Sequence, residues 1–186
     1  QILGMILTQN TNFDNVEKVI RNFPENLKIN DILDMPSEIL EEKIKEAGFY
    51  KQKGKCIKEL FLFIKENSGI SNLTNVKKLR EKIIRINGIG NETADVFLLY
   101  IVNEKKFVSD AYARRLFSRV FDMSVQKYED LNAIAKYYET NLTVKKLQEF
   151  HAKIDVFCIK FCTKTPKCNH CVFRKECKYV KKSNEL

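Results

Sequence analysis

Apolar side chains recur at intervals of three and four residues along most of the chain, and no stretch alternates strictly enough to make the core of a strand. Val16, Val19, Ile20 and Phe23 fall on one face of a helix predicted over 15–23. Ile39, Leu40 and Ile44 do the same for a helix over 37–47, with Ser37 as its N-cap after Pro36 and Gly48 as its stop. Further helices are expected at about 51–66, 75–85, 91–102, 110–120, 128–140 and 143–160. The fold class is therefore all-α. The polar stretch 103–106, following a strongly apolar helix, is the expected joint between two helical lobes, with no internal repeat or low-complexity tract in either.

Composition narrows the class without changing the picture. With 186 residues, 44% hydrophobic and 31% charged, the chain is an ordinary globular one with enough length to bury a core, and disorder is excluded as its main state. No apolar run approaches the ~20 residues of a membrane-spanning helix. The chain opens at Gln1 in mid-pattern, so an initiator methionine and some N-terminal residues are expected to be missing, and a signal peptide is neither seen nor excluded. The formal net charge is +9, and it is local: residues 145–186 hold 11 Lys and Arg against four Asp and Glu. A polyanionic partner fits that surplus. The clusters Lys51, Lys53, Lys55, Lys58 and Lys77, Lys78, Arg80, Lys82, Arg85 fit solvated helix surface equally well.

Four of the six cysteines, Cys162, Cys168, Cys171 and Cys177, form a C-x5-C-x2-C-x5-C array near the C-terminus. Disulfides would need an oxidising compartment and a small Cys-dense scaffold, which this Lys-rich helical chain does not resemble. A structural zinc prefers paired short knuckles, and only Cys168 and Cys171 make one. Four thiolates around a compact loop suit a [4Fe-4S] cubane, which is the favoured cofactor and implies a reducing intracellular compartment. Cys56 and Cys158 sit among apolar helical neighbours and read as buried free thiols.

Between two predicted helices lies Ile86-Asn87-Gly88-Ile89-Gly90. Two glycines permit a tight turn and a close approach of backbone N–H groups to a ligand, while the next helix offers its positive N-terminus; that is a phosphate cradle. A bare G-x-G also fits a plain helix-turn-helix corner. Thr93-Ala94-Asp95 continues into an apolar helix, and Asp110 follows at the start of another.

Taken in order, Ile6-Leu7-Thr8-Gln9-Asn10-Thr11, Ala47-Gly48-Phe49-Tyr50-x-x-Lys53, the Gly88-Ile89-Gly90 hairpin with Thr93-Ala94, Val108-Ser109-Asp110 and the four-cysteine array resemble the helix-hairpin-helix DNA glycosylases of the endonuclease III family. The resemblance covers nearly the whole chain. It implies a barrel-like lobe at 1–104, with the helix-hairpin-helix at about 75–102. A second lobe at 105–186 would hold the catalytic aspartate and the cluster loop 162–177, and duplex DNA carrying a damaged base would lie between lobes of a monomer. In the family the aspartate at the position of Asp110 is catalytic; Asp is also a common N-cap, and both uses are compatible because a helix N-terminus favours negative charge. Gln9 resembles the residue that fills the hole left by the flipped base, and Phe49 the residue that wedges into the stack, although Phe49 could be ordinary core. Gly88, Ile89, Gly90 and Thr93 would meet the DNA backbone. Lys164, Lys167, Arg174 and Lys175 would present cations to phosphates from the loop pinned by the cluster.

One position departs from the family. Bifunctional members carry a lysine two residues beyond the second hairpin glycine, whose amine attacks the sugar; here Glu92 stands there and cannot form a Schiff base. Base hydrolysis without efficient strand cleavage is expected, with alkylated purines such as 3-methyladenine as the substrate branch. Oxidised pyrimidines with lyase activity, or a non-catalytic iron-sulfur DNA-binding protein, are the alternatives. Neither His151 nor His170 is expected to be a ligand or a base.

Overall fold

The computed structural model describes residues 1–184, and among them every regular element is helical, so the all-α expectation is borne out. The chain divides into two compact units, 1–104 and 105–186, each with a core of its own.

In the first unit the helices are α1 (Ile2–Leu7), α2 (Phe13–Ile20), α3 (Ile29–Asp34), α4 (Ser37–Lys43), α5 (Tyr50–Glu66), α6 (Leu79–Ile84) and α7 (Asn91–Phe97). The longest, α5, buries Gly54, Ile57, Phe61 and Ile64 with Cys56 and Leu60 between them, a broad apolar stripe against which α1, α3 and α4 pack. Leu7, Ile32, Leu40, Ile44, Ile83 and Phe97 complete the core and are almost wholly shielded from water. Each such side chain contributes about 1.5–3 kcal/mol by leaving water. A part-buried ion pair joins α6 to α7: Arg80 Nε donates to Asp95 Oδ1 at 2.8 Å, and Arg80 Nη2 to Asn91 Oδ1 at 3.1 Å. Asp95 is completely enclosed.

The second unit contains α8 (Ala111–Phe121), α9 (Asn132–Asn141), α10 (Val144–Lys160) and α11 (Lys178–Asn184). Its α8 and α10 pack through Ala113, Leu116 and Phe117 on one side and Leu147, Ile154 and Cys158 on the other. Phe107 stacks on Tyr138 at 5.6 Å between centroids, and Phe150 closes on Tyr138 at 4.9 Å, giving this unit an aromatic core.

Several boundaries differ from the periodic reading. Ser37 is the first helical residue of α4 and Pro36 its N-cap, because the extended Pro36 already points its carbonyl at the Leu40 N–H, 3.0 Å away. The helix expected over 75–85 begins only at Leu79: residues 70–75 form a separate 3-10 turn, and Lys78 in the left-handed region breaks the chain between them. The apolar run after α7 widens into a π turn over Leu98–Val102, closed by the Glu104 N–H on the Leu98 carbonyl at 2.9 Å. The short helices α1, α3 and α11 were not anticipated.

Replacing Arg80 with leucine leaves the Asp95 carboxylate enclosed without its guanidinium, so we expect a loss of about 3 kcal/mol in unfolding free energy. Urea unfolding of Arg80→Leu against wild type checks this, and an unchanged midpoint would show that the pair does not brace the hairpin.

Candidate nucleic-acid interface and catalytic carboxylate

The hairpin between α6 and α7 turns at Gly88, whose φ of +92° is open to glycine alone at low strain, and a Cβ there would lie 3.3 Å from the Cβ of Cys56. Gly90 is different: its backbone is extended and nothing lies within 4 Å of where a side chain would stand. Only Gly88 is therefore required by the turn, whereas Gly90 keeps open space in front of the α7 N-terminus. Ile89 points its side chain into the core, so only its main chain can face a ligand. Glu92 occupies the first turn of α7, where a carboxylate is electrostatically favoured.

Gln9 meets this hairpin directly. Its Nε2 donates to the Gly88 carbonyl at 3.1 Å and to Thr93 Oγ1 at 2.9 Å, so both amide hydrogens are engaged inside the protein. Behind it sits a charge that does not fit the solvated-surface reading of the Lys51, Lys53, Lys55, Lys58 cluster, because its side chain is turned inward onto main-chain acceptors. Lys53 is 4% exposed, and its Nζ donates to the Leu7 carbonyl (2.8 Å), the Ala47 carbonyl (2.8 Å) and Thr11 Oγ1 (2.6 Å). Burial lowers its pKa from the usual lysine value. Thr11 Oγ1 in turn donates to the Ala47 carbonyl. These bonds hold the loop around Gln9 against the turn that ends at Gly48 (φ +67°) and Phe49 (φ +49°). Phe49 is 64% exposed and Phe13, just past the Gln9 loop, is 72% exposed, so neither is core. One hydrogen-bonded ensemble thus joins Gln9, Phe49, Gly88 and Thr93.

In the second unit Asp110 is the N-cap of α8: its Oδ1 accepts from the Ala113 N–H at 2.7 Å. Its Oδ2 lies 3.7 Å from Nε2 of His151 on α10, and Asp155, one turn further along, lies 3.8 Å from the same nitrogen. The histidine expected to be neither ligand nor base therefore stands beside the candidate catalytic group. Its signal in the sequence was only the i, i+4 spacing of His151 and Asp155.

Cys162, Cys168, Cys171 and Cys177 line one small pocket together with Val120, Phe157 and Phe161. All four are free thiols, near enough that Cys162, Cys168 and Cys177 each raise the proton affinity of Cys171, although burial is the larger cause of that rise. Hydrogen bonding from Cys158 and from Arg119 pulls Cys162 down to about 6. Two arginines of α8 hold the loop's backbone: Arg115 Nε donates to the Cys162 carbonyl at 2.6 Å and Arg119 to the carbonyls of Thr163 and Lys164. Lys164, Lys167, Arg174 and Lys175 are all exposed on this loop, with Arg174 also donating to Asn169.

Residues 3–140 match the HhH-GPD superfamily of base excision DNA repair proteins. The chain belongs to that family. It is 38% identical over 95% of its length, and 83% of the relative's, to a Methanocaldococcus jannaschii protein whose name assigns it provisionally to the DNA repair glycosylases. It is 30% identical, over 96% of its length and 80% of the relative's, to an endonuclease III of Sulfolobus acidocaldarius. Among solved structures, a thermostable thymine-DNA glycosylase superposes with TM-score 0.75 at 28% identity, covering 97% of this chain and 83% of that one. An H. pylori 3-methyladenine DNA glycosylase bound to 1,N6-ethenoadenine superposes with TM-score 0.71 at 28% identity, covering 86% and 83%.

For an HhH-GPD protein the Lys53 ensemble carries a structural expectation. Lys53→Met removes a donor from the Leu7 carbonyl, the Thr11 hydroxyl and the Ala47 carbonyl, the last keeping its bond from Thr11, and unfolding free energy should fall by about 3 kcal/mol. Amide exchange at residues 9–12 and 47–49 should accelerate more than in α5. Uniform protection across these segments in the variant would show that the ammonium does not join them.

Proposed function

We propose that this HhH-GPD protein is a monofunctional DNA glycosylase that hydrolyses the N-glycosidic bond of alkylated purines in duplex DNA. The observation that carries the reading is Glu92, a carboxylate on the first turn of α7 where the bifunctional members have their nucleophilic amine. Without that amine the attacking group is water. The target base must leave the stack to be reached, and Phe49, exposed at its loop tip, and the Oε1 of Gln9 are the groups that would stand in for it. Bond cleavage builds positive charge on the deoxyribose. Asp110 would face that charge, and a carboxylate about 4 Å away stabilises it by roughly 4 kcal/mol at an effective dielectric near 20, while also orienting the water. The purine assignment is supported by the run Gln9-Asn10-Thr11, by Gly90-x-Glu92-Thr93-Ala94-Asp95, and by the likeness to a 3-methyladenine glycosylase seen with 1,N6-ethenoadenine.

The cysteine loop fits a [4Fe-4S] cluster: four thiols converge on an apolar pocket, and one of them is poised toward thiolate. Such a cluster, bound by Cys162, Cys168, Cys171 and Cys177, would supply a cross-link that keeps Lys164, Lys167, Arg174 and Lys175 presented toward phosphates.

A second reading, excision of thymine or uracil, is favoured by the likeness to a thymine-DNA glycosylase over 97% of the chain. It uses the same hydrolytic machinery and differs only in the base.

A panel of duplexes with single lesions separates these. We expect loss of 1,N6-ethenoadenine or 3-methyladenine, an abasic site that stays uncut until alkali is added, and no borohydride-trapped adduct. Release of uracil or of thymine opposite guanine alone would favour the second reading, and trapping would refute the water mechanism. Asp110→Asn should slow single-turnover excision about a thousandfold with DNA binding retained. The purified protein should absorb broadly near ~400 nm, and a colourless zinc protein would remove the cluster.

A further inference from the structure

The cluster of Asp110, His151 and Asp155 holds more than a catalytic carboxylate needs for itself. One atom from each residue falls within 4.8 Å of the others, all three side chains are half-buried, and Nε2 of His151 stands between two carboxylates. Asp110 has one oxygen fixed by the α8 N-terminus, so its orientation depends on what holds the other. Asp155 Oδ1 is buried and makes no hydrogen bond, a cost with no return in packing alone.

Resting on the reading of Asp110 as the catalytic carboxylate, we propose that His151 and Asp155 are its positioning residues. The imidazole anchors the second Asp110 oxygen, and Asp155 cancels the imidazolium charge, so the triad keeps one net negative charge for the sugar cation.

The charge balance follows from the surroundings. Burial opposes the imidazolium, but the nearby oxygen of Asp110 and the charge of Asp155 outweigh it, so His151 holds its proton more tightly than a free imidazole. Burial, partly offset by His151 and reinforced by Asp110, pushes Asp155 up to about 6. On α8, Arg114 Nη1 donates to the Ser109 carbonyl and Arg115 Nε to the Cys162 carbonyl. Above about pH 6 Asp155 is ionised and offsets the charge that a protonated His151 places beside Asp110. Below it Asp155 takes a proton and leaves the imidazolium uncompensated beside Asp110.

This arrangement separates activity from stability. A carboxyl whose folded pKa is raised contributes stability below its unfolded pKa, and that contribution is lost as pH rises through about 6. Removing the Asp155 charge should therefore raise the melting temperature at pH 7.5 and yet slow excision.

The experiment measures single-turnover excision, DNA affinity and thermal melting of the full chain, from pH 5 to 8.5, for wild type, Asp155→Asn, His151→Gln, the double variant and Asp110→Asn. Wild-type rate should fall as pH drops through about 6. Asp155→Asn should be at least about tenfold slower at pH 7.5, lack that acid limb, bind DNA as before and melt higher. His151→Gln in the Asp155→Asn background should recover part of the loss, because the uncompensated cation is gone. The inference is overturned if Asp110→Asn is inactive while Asp155→Asn and His151→Gln match wild type, or if Asp155→Asn loses rate and melting temperature together. Activity in Asp110→Asn would instead remove the catalytic reading beneath it, and His151→Asn replaces His151→Gln should the latter not fold.

Discussion

The buried ammonium of Lys53 sets the geometry of the first unit. Taking a charged amine out of water costs several kcal/mol, and two carbonyls and a hydroxyl recover that only if the segments carrying them stay in place. Those segments lead to Gln9 on one side and to Gly48 and Phe49 on the other. From Gln9 the bonding continues to Gly88 and Thr93, and from α7 through Asp95 to Arg80. An exposed aromatic, an amide and a hairpin N-terminus are thereby held at fixed spacing before any nucleic acid arrives. If these groups meet DNA as proposed, being already in place they lose little entropy in offsetting the few kcal/mol that unstacking a base costs.

The second unit reaches rigidity by other means. Arg115 and Arg119 reach from α8 to the carbonyls of its cysteine loop. The same helix begins at Asp110, so the candidate catalytic carboxylate and the anchor of the basic loop belong to one rigid rod. The positive surplus of residues 145–186 is displayed on that loop and on α10 and α11, while the polar cluster around His151 is half-buried.

Helical periodicity exposed the long elements, because a stripe of six or seven apolar positions survives local irregularity. It missed α1, α3 and α11, each too short to show a period, and it joined segments that Lys78 and Ile44 break. The hairpin glycines looked equivalent in sequence; only the backbone φ and the proximity of Cys56 separate Gly88 from Gly90. Phe49 was ambiguous between core and surface until its left-handed backbone placed it at a loop tip. Gln9 was legible as a site candidate, but its attachment to residues 79 and 84 positions away was not.

The sequence by itself determined the fold class, the family, the cysteine array, the N-capping aspartate and the carboxylate at position 92, because each is a matter of residue type at a local spacing. Tertiary structure alone decided that Lys53 is a buried strut and that His151 and Asp155 converge on Asp110. Local spacing carries the i, i+4 relation of His151 to Asp155, but the 41-residue separation from Asp110 to His151 is closed only by packing α8 on α10. Apolar burial drives that packing, and it leaves no pattern among the polar residues that it brings together.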